Sequence, residues 1–155
     1  MSFVVPTPDV MRAAGVQLAA LLEAGDLVVL TGDLGAGKTL MTQGIGAGLG
    51  VRGPVLSPTF VIARIHPDGR IPLVHVDAYR LGGIAEVDDL DLDASIEDSV
   101  TVVEWGEGLV EELADARLAV HIARSVDSEE RVVTMTPYGE RWLRRAAAVA
   151  AIGAA

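Results

Sequence analysis

The octapeptide Gly32-Asp33-Leu34-Gly35-Ala36-Gly37-Lys38-Thr39 is the most informative segment of this chain. It matches G-x-x-x-x-G-K-[ST] at every fixed position and lies between an apolar run at 27–31 and a segment up to Gly50 that can form a helix. Glycines at this spacing let backbone N–H groups turn toward a phosphate, and the lysine reaches the outer phosphates. The pattern predicts a phosphate-binding loop between a strand and a helix.

The composition draws attention to the lysine of this loop. The chain has 155 residues, with 12 Lys and Arg against 22 Asp and Glu, and a net charge of −10. Lys38 is the only lysine, and a glycine turn that merely joined a strand to a helix would give no reason for it to stand there. The acidic balance argues against nucleic-acid binding through an overall basic field. We therefore expect local binding of a nucleotide phosphate.

Size and cysteine content limit the remaining classes. A chain of 155 residues, of which 50% are hydrophobic, suits a single domain over residues 1–155. The absence of cysteine excludes disulfides and thiolate metal sites. No apolar run approaches the ~18 residues of a membrane helix. We expect a cytoplasmic protein that does not enter a membrane.

Apolar patterns place further helices and strands around the loop. A first helix is predicted over 8–23, and Pro67-Asp68-Gly69 between alternating segments at 60–66 and 70–77 predicts a hairpin. Other strands are expected at 99–107, 117–124 and 131–137, with short helices at 84–98 and 107–115 and one alanine-rich terminal helix. The predicted fold is α/β, a P-loop NTPase-like three-layer sandwich with a mixed, mostly parallel central sheet.

Two acids follow strands that should end beside the loop. Asp77 and Glu104 each come directly after an apolar run. Ligands of open α/β sheets bind at the carboxyl ends of parallel strands, where such an acid can hold Mg²⁺. Either acid could also be a solvated strand-end residue, but we expect at least one of them to be functional. His75 and Tyr79 should share a face with Asp77, and buried structural roles are at least as favoured for both.

Four motifs in a fixed order carry a resemblance to a known family. GDLGAGKT is followed by SPTF at 57–60, HVDAYRL at 75–81 and VEWGE at 103–107. This arrangement resembles the TsaE family, small bacterial P-loop ATPases of tRNA threonylcarbamoyladenosine synthesis that work with TsaB and TsaD proteins. The resemblance implies ATP and Mg²⁺ as cofactors and TsaB-like and TsaD-like partners. The acids at 84–98 oppose direct contact with tRNA, so we expect no stable nucleic-acid binding by this chain alone.

The resemblance also implies roles for individual residues. Thr39 and Glu104 would ligate Mg²⁺, and Asp77 would be important for hydrolysis. Thr59 would be the switch threonine, and Trp105 would stand beside the metal acid. The catalytic set would be Lys38, Thr59, Asp77 and Glu104. The expected nucleotide contacts come from the loop, the residue after it and one late-strand arginine, namely Gly32, Asp33, Gly35, Ala36, Gly37, Lys38, Thr39, Leu40 and Arg131.

Two other functions stay open at this point. A small P-loop kinase would share the loop, Mg²⁺ and the size, but such kinases close an arginine-bearing lid, and the corresponding region at 84–98 carries seven acids and no base. A nucleotide-dependent interaction module with negligible turnover of its own is the second alternative. A small GTPase is excluded, because guanine selection in that class uses an Asn-Lys-x-Asp motif and this chain has no asparagine and no second lysine.

Overall fold

A computed structural model describes residues 1–32, 36–52, 63–77, 97–104, 116–125 and 127–153. Its elements, in chain order, are β1 (Ser2–Val5), α1 (Pro8–Ala19), β2 (Leu27–Gly32), α2 (Lys38–Leu49), β3 (Ala63–His66), β4 (Leu73–Asp77), β5 (Val100–Glu104), β6 (Arg117–Arg124), β7 (Arg131–Tyr138), α3 (Glu140–Leu143) and α4 (Ala146–Ala150).

The strands of the described residues form one seven-stranded sheet in the order β1-β7-β6-β2-β5-β4-β3. The neighbours β6, β2, β5 and β4 are parallel, whereas β7 and β3 run antiparallel to the strands they flank. Because β1 is antiparallel to β7, it again points the same way as the central four strands. The predicted α/β class with a mixed, mostly parallel sheet is therefore confirmed, as is the β3–β4 hairpin.

The central strand β2 determines where the glycine-rich loop lies. Its residues Leu27 to Leu30 are all buried, as expected of a parallel strand that is covered on both faces. Since β2 lies between β5 and β6, the loop after Gly32 opens at the middle of the carboxyl edge of the parallel strands. This edge is where open α/β sheets bind their ligands.

Helices α1 and α2 pack tightly against each other and cover one face of the sheet. A Cβ atom on Gly15 would lie 2.3 Å from the Met41 carbonyl oxygen, and one on Gly44 would lie 2.1 Å from the Arg12 carbonyl oxygen. Only glycine permits this close approach of the two backbones. The same face carries the core, which includes Leu18, Met41, Ile45, Val28, Leu30, Val102, Leu118 and Val120.

Two of the helix predictions were wrong. The first helix ends at Ala19 rather than Glu23, and the guanidinium of Arg70 donates to the carbonyl oxygens of Ala19 and Leu22 at this end. The terminal segment forms two short helices instead of one, and at their junction Arg145 turns its side chain toward Asp26.

The helices predicted at 84–98 and 107–115 fall almost entirely outside the described residues. No helix in the described part is long and apolar enough to span a membrane.

Candidate functional site

Two glycines shape the described part of the loop. Gly32 ends β2 with φ +148°, and a Cβ atom there would lie 2.4 Å from the Ile122 carbonyl oxygen. Gly37 has φ +119° and is the N-cap residue of α2, without a side chain to cap it. Because the first N–H groups of a helix have no partners within it, the start of α2 is suited to bind an anion.

The loop lysine is buried at the start of α2. Lys38 is 5% exposed, and its Nζ donates a hydrogen bond to the Gly32 carbonyl oxygen over 2.7 Å. Its ammonium group therefore reaches back across the loop to the end of β2. A buried ammonium requires polar or charged partners, which makes this position suitable for an anionic ligand.

Glu104 lies at the carboxyl end of β5, beside the start of α2. It is in register with Leu30 of β2 and with Asp77 of β4. The Thr39 hydroxyl donates to Glu104 Oε1 over 3.4 Å, and the carboxylate is almost completely buried. A hydroxyl and a carboxylate from two different elements thus converge at the edge where β2 leads into the loop.

The second oxygen of this carboxylate contacts a histidine on the neighbouring strand. His75 Nε2 lies 2.5 Å from Glu104 Oε2, and the His75 side chain is fully buried. Since an ionised carboxylate only accepts hydrogen bonds, we assign the hydrogen to Nε2. His75 Nδ1 has no hydrogen-bond partner among the described residues.

The donor set at this edge fits Mg²⁺. This ion prefers oxygen ligands and is usually bound through one or two protein groups together with water and substrate phosphates. The Thr39 hydroxyl and the Glu104 carboxylate supply two such oxygens next to the loop. In the described part of the chain, no group of three or more His, Asp or Glu side chains could hold a metal ion by itself. Water and substrate phosphate oxygens would complete the coordination.

Arg131 connects the late part of the chain to the loop. It is the first residue of β7, and its Nε donates to the Ala36 carbonyl oxygen over 3.2 Å. Its side chain also borders a small cleft that opens to solvent beside the start of α2. The other lining residues include Val5, Pro8, Met11, Gly37 and Leu40.

The structure brings together many of the residues predicted from the sequence. Gly32, Ala36, Gly37, Lys38, Thr39, Glu104 and Arg131 meet around the loop, and Leu40 lines the adjoining cleft. Asp77 ends β4 in register with Glu104, but its side chain is not described. Asp33, Gly35, Thr59 and Trp105 lie outside the described residues.

The contact between His75 and Glu104 is the feature that the sequence reasoning missed. The alternation in HVD predicted that His75 shares a face of β4 with Asp77, whose side chain is not described. Which residue His75 contacts depends on the β4–β5 pairing, in which Asp77 lies opposite Glu104. No sequence pattern in this chain specifies that register.

The fold and this site define an α/β protein of the P-loop type. The family model described as "Threonylcarbamoyl adenosine biosynthesis protein TsaE" matches residues 5–133, and the chain belongs to the TsaE family. The resemblance noted in the sequence is thereby confirmed.

Individual relatives agree with this assignment. The chain is 64% identical over 139 residues to the tRNA threonylcarbamoyladenosine biosynthesis protein TsaE of Streptomyces coelicolor, covering 85% of this chain and 93% of that protein. It is 41% identical over 136 residues to the protein of the same name from Bacillus subtilis, covering 87% of this chain and 84% of the relative. The crystal structure of YdiB from the same bacterium superposes with a TM-score of 0.80 at 33% identity, over 97% of this chain and 93% of that one.

Proposed function

We propose that this chain binds ATP with Mg²⁺ at the loop Gly32 to Thr39 and hydrolyses it as a subunit of the machinery that forms threonylcarbamoyladenosine in tRNA. Membership of the TsaE family supports the pathway. The observation that carries the proposed activity is the contact between the Thr39 hydroxyl and the buried carboxylate of Glu104, next to the start of α2.

Each loop residue has a role that follows from its position. Lys38 would exchange its hydrogen bond to the Gly32 carbonyl oxygen for one to a phosphate oxygen. The N-terminus of α2 would direct its N–H groups and its positive dipole end at the phosphates. The Arg131 guanidinium, which already contacts the loop at Ala36, would lie beside the nucleotide. The cleft next to Gly37 and Leu40 would receive the nucleoside.

The metal site would consist of Thr39 and Glu104. Bound Mg²⁺ would neutralise charge on the phosphates as the bond to the outer phosphate breaks. Asp77, at the end of the adjacent strand, and Thr59 in the SPTF motif are the residues we propose for positioning the attacking water and for responding to the outer phosphate. Both proposals rest on the resemblance to the family.

We propose that the chain reaches tRNA through TsaB-like and TsaD-like proteins. Its net charge of −10 opposes direct binding of an RNA backbone. Phosphate binding in such a chain depends on local groups, the loop N–H groups, Lys38 and the metal ion, rather than on the overall field. A subunit of this kind hydrolyses ATP efficiently when partner proteins complete or order its site.

Reconstitution with TsaB and TsaD tests the proposal. We expect Lys38→Ala and Glu104→Ala to abolish most of the ATP turnover and threonylcarbamoyl transfer that the wild-type chain supports. Glu140→Gln, which changes an exposed carboxylate on α3, is the control and should leave both activities unchanged. Unchanged activities in Lys38→Ala and Glu104→Ala would refute the proposed mechanism.

Nucleotide selectivity is measured on the isolated chain. Binding to the folded state alone raises the melting temperature, so ATP with Mg²⁺ should raise it more than GTP does at the same concentration. Equal shifts would contradict the assignment of ATP as the ligand.

The reconstitution also tests the alternative functions. ATP turnover that does not change when TsaB and TsaD are added would favour a kinase or another P-loop enzyme.

A further inference from the structure

His75 is an unusual residue for its surroundings. Its side chain is fully buried on β4, and Leu73, Val102 and Val100 are buried core residues of the same sheet face. Within the described residues its ring makes one hydrogen bond, from Nε2 to Glu104 Oε2, while Nδ1 has no partner. A leucine would fill a comparable volume without burying two ring nitrogens. The polarity of this side chain is thus directed at a single group, the Glu104 carboxylate.

The two oxygens of Glu104 face different elements. Oε2 accepts from His75 on β4 over 2.5 Å, whereas Oε1 accepts from the Thr39 hydroxyl on α2 over 3.4 Å. A carboxylate held by one oxygen cannot rotate freely about its terminal torsion, so its other oxygen stays directed at Thr39. Groups that orient a metal ligand in this way tune the affinity of the site.

We propose that His75 is a positioning residue that holds Glu104 in the orientation required to bind Mg²⁺ together with Thr39. This inference rests on the proposed function, since it assigns the partner of the metal acid. His75 does not contact the nucleotide or the ion, and it acts through the carboxylate alone. Its effect must therefore appear in the Mg²⁺ dependence of nucleotide binding and must disappear when the Glu104 carboxylate is removed.

The measurement is the affinity of the full chain for ADP by calorimetry, once in EDTA and once in Mg²⁺. The ratio of the two dissociation constants is the contribution of the metal. We expect His75→Leu to reduce this ratio by about 10- to 100-fold and to leave the affinity in EDTA within about twofold of the wild type. His75→Gln keeps an amide N–H near the place of Nε2, and its ratio should stay within about threefold of the wild type.

Three further variants complete the test, namely His75→Asn, Glu104→Gln and the double variant that combines Glu104→Gln with His75→Leu. His75→Asn carries the same amide on a shorter side chain that stops near the place of Nδ1, so it should behave like His75→Leu and replaces it if the leucine variant does not fold. In a Glu104→Gln background, adding His75→Leu should not reduce the ratio further, because the carboxylate that His75 orients is absent.

The possible outcomes separate this inference from the function on which it rests. A wild-type ratio in His75→Leu and His75→Asn, an equal loss of affinity with and without Mg²⁺, or a further reduction in the Glu104→Gln background would overturn the positioning role. A wild-type chain that binds no nucleotide under either condition would overturn the proposed function, and the inference with it.

Discussion

Two buried carboxylates lie at opposite ends of the central strands, and their partners differ. Asp26, directly before β2, accepts hydrogen bonds from the Glu23 N–H group, from Arg141 Nε and from both terminal nitrogens of Arg145. Glu104, at the end of β5, has a hydroxyl and an imidazole as its partners among the described residues. Four hydrogen bonds occupy the oxygens of Asp26, whereas Glu104 retains acceptor capacity beside the loop that we propose to bind phosphate.

This difference distinguishes a structural carboxylate from one that is available to a ligand. The hydrogen bonds to Asp26 raise the pKa of Arg145, which keeps this side chain charged at any ordinary pH. The cluster of Asp26, Arg141 and Arg145 ties α3 and α4 to the start of β2. A carboxylate with four accepted hydrogen bonds has little capacity left for a cation. Burial alone would not separate the two acids, because both are at least nine-tenths buried.

The largest effect is expected from removing the charge of Asp26. Asp26→Asn keeps the shape of the side chain but removes the charge that pairs with Arg145. The free energy of unfolding should therefore fall by about 3 kcal/mol. This value is the lower end of the range for a broken buried pair, because Arg141 retains access to water. Urea unfolding measures this change. ADP affinity at the opposite edge should be unchanged. A loss in stability below about 1 kcal/mol would show that the cluster contributes no more than a surface pair.

The matched substitution at the other end should have the opposite profile. Glu104→Gln also replaces a carboxylate by an amide of the same shape, but no guanidinium of the described residues contacts it. We therefore expect the free energy of unfolding to stay within about 1 kcal/mol of the wild type. ATP turnover with TsaB and TsaD should fall on the order of 100-fold, because a metal ligand is lost. If Glu104→Gln destabilises the chain as strongly as Asp26→Asn, the distinction between the two acids fails.

The part of the site predicted from the sequence is the part encoded by local spacing. The loop, Lys38 and Thr39 follow from one octapeptide, and the hairpin follows from a Pro-Asp-Gly turn between alternating segments. Glu104 and Asp77 were both candidates because each ends a strand, and the β4–β5 register places them side by side. That register joins residues far apart in the chain, and for this reason the His75 contact was not predicted.

The cluster around Asp26 illustrates the same limit. The sequence contains Arg141 and Arg145 near its end, but no local pattern indicates that they pair with an acid more than a hundred residues earlier. The partner is determined by where α3 and α4 pack, which depends on the whole core. The break between these two helices, where one helix was predicted, has the same origin, because Arg145 stands at the junction.

The smallest predicted effect concerns the acid sensitivity of the β3–β4 hairpin. His66 lies on β3, on the same face as His75, and its Nε2 has no hydrogen-bond partner among the described residues. Burial, and next the neighbouring His75, hold the pKa of His66 below its ordinary value of 6.5. Below that pH the unfolded chain takes up a proton on this ring more readily than the folded chain does. Stability is therefore lost as the pH falls from about 6.5 toward the pKa of the folded state.

His66→Gln should remove this contribution, since glutamine does not titrate. We expect the urea midpoint of the wild-type chain to fall further between pH 7.5 and pH 5.5 than that of His66→Gln. The free energy that corresponds to this difference should be smaller than the loss of stability caused by Asp26→Asn. The difference between the two pH profiles is the part of the acid-dependent loss that belongs to His66 on β3. Parallel pH profiles for the wild type and His66→Gln would show that His66 makes no contribution to the acid-dependent loss.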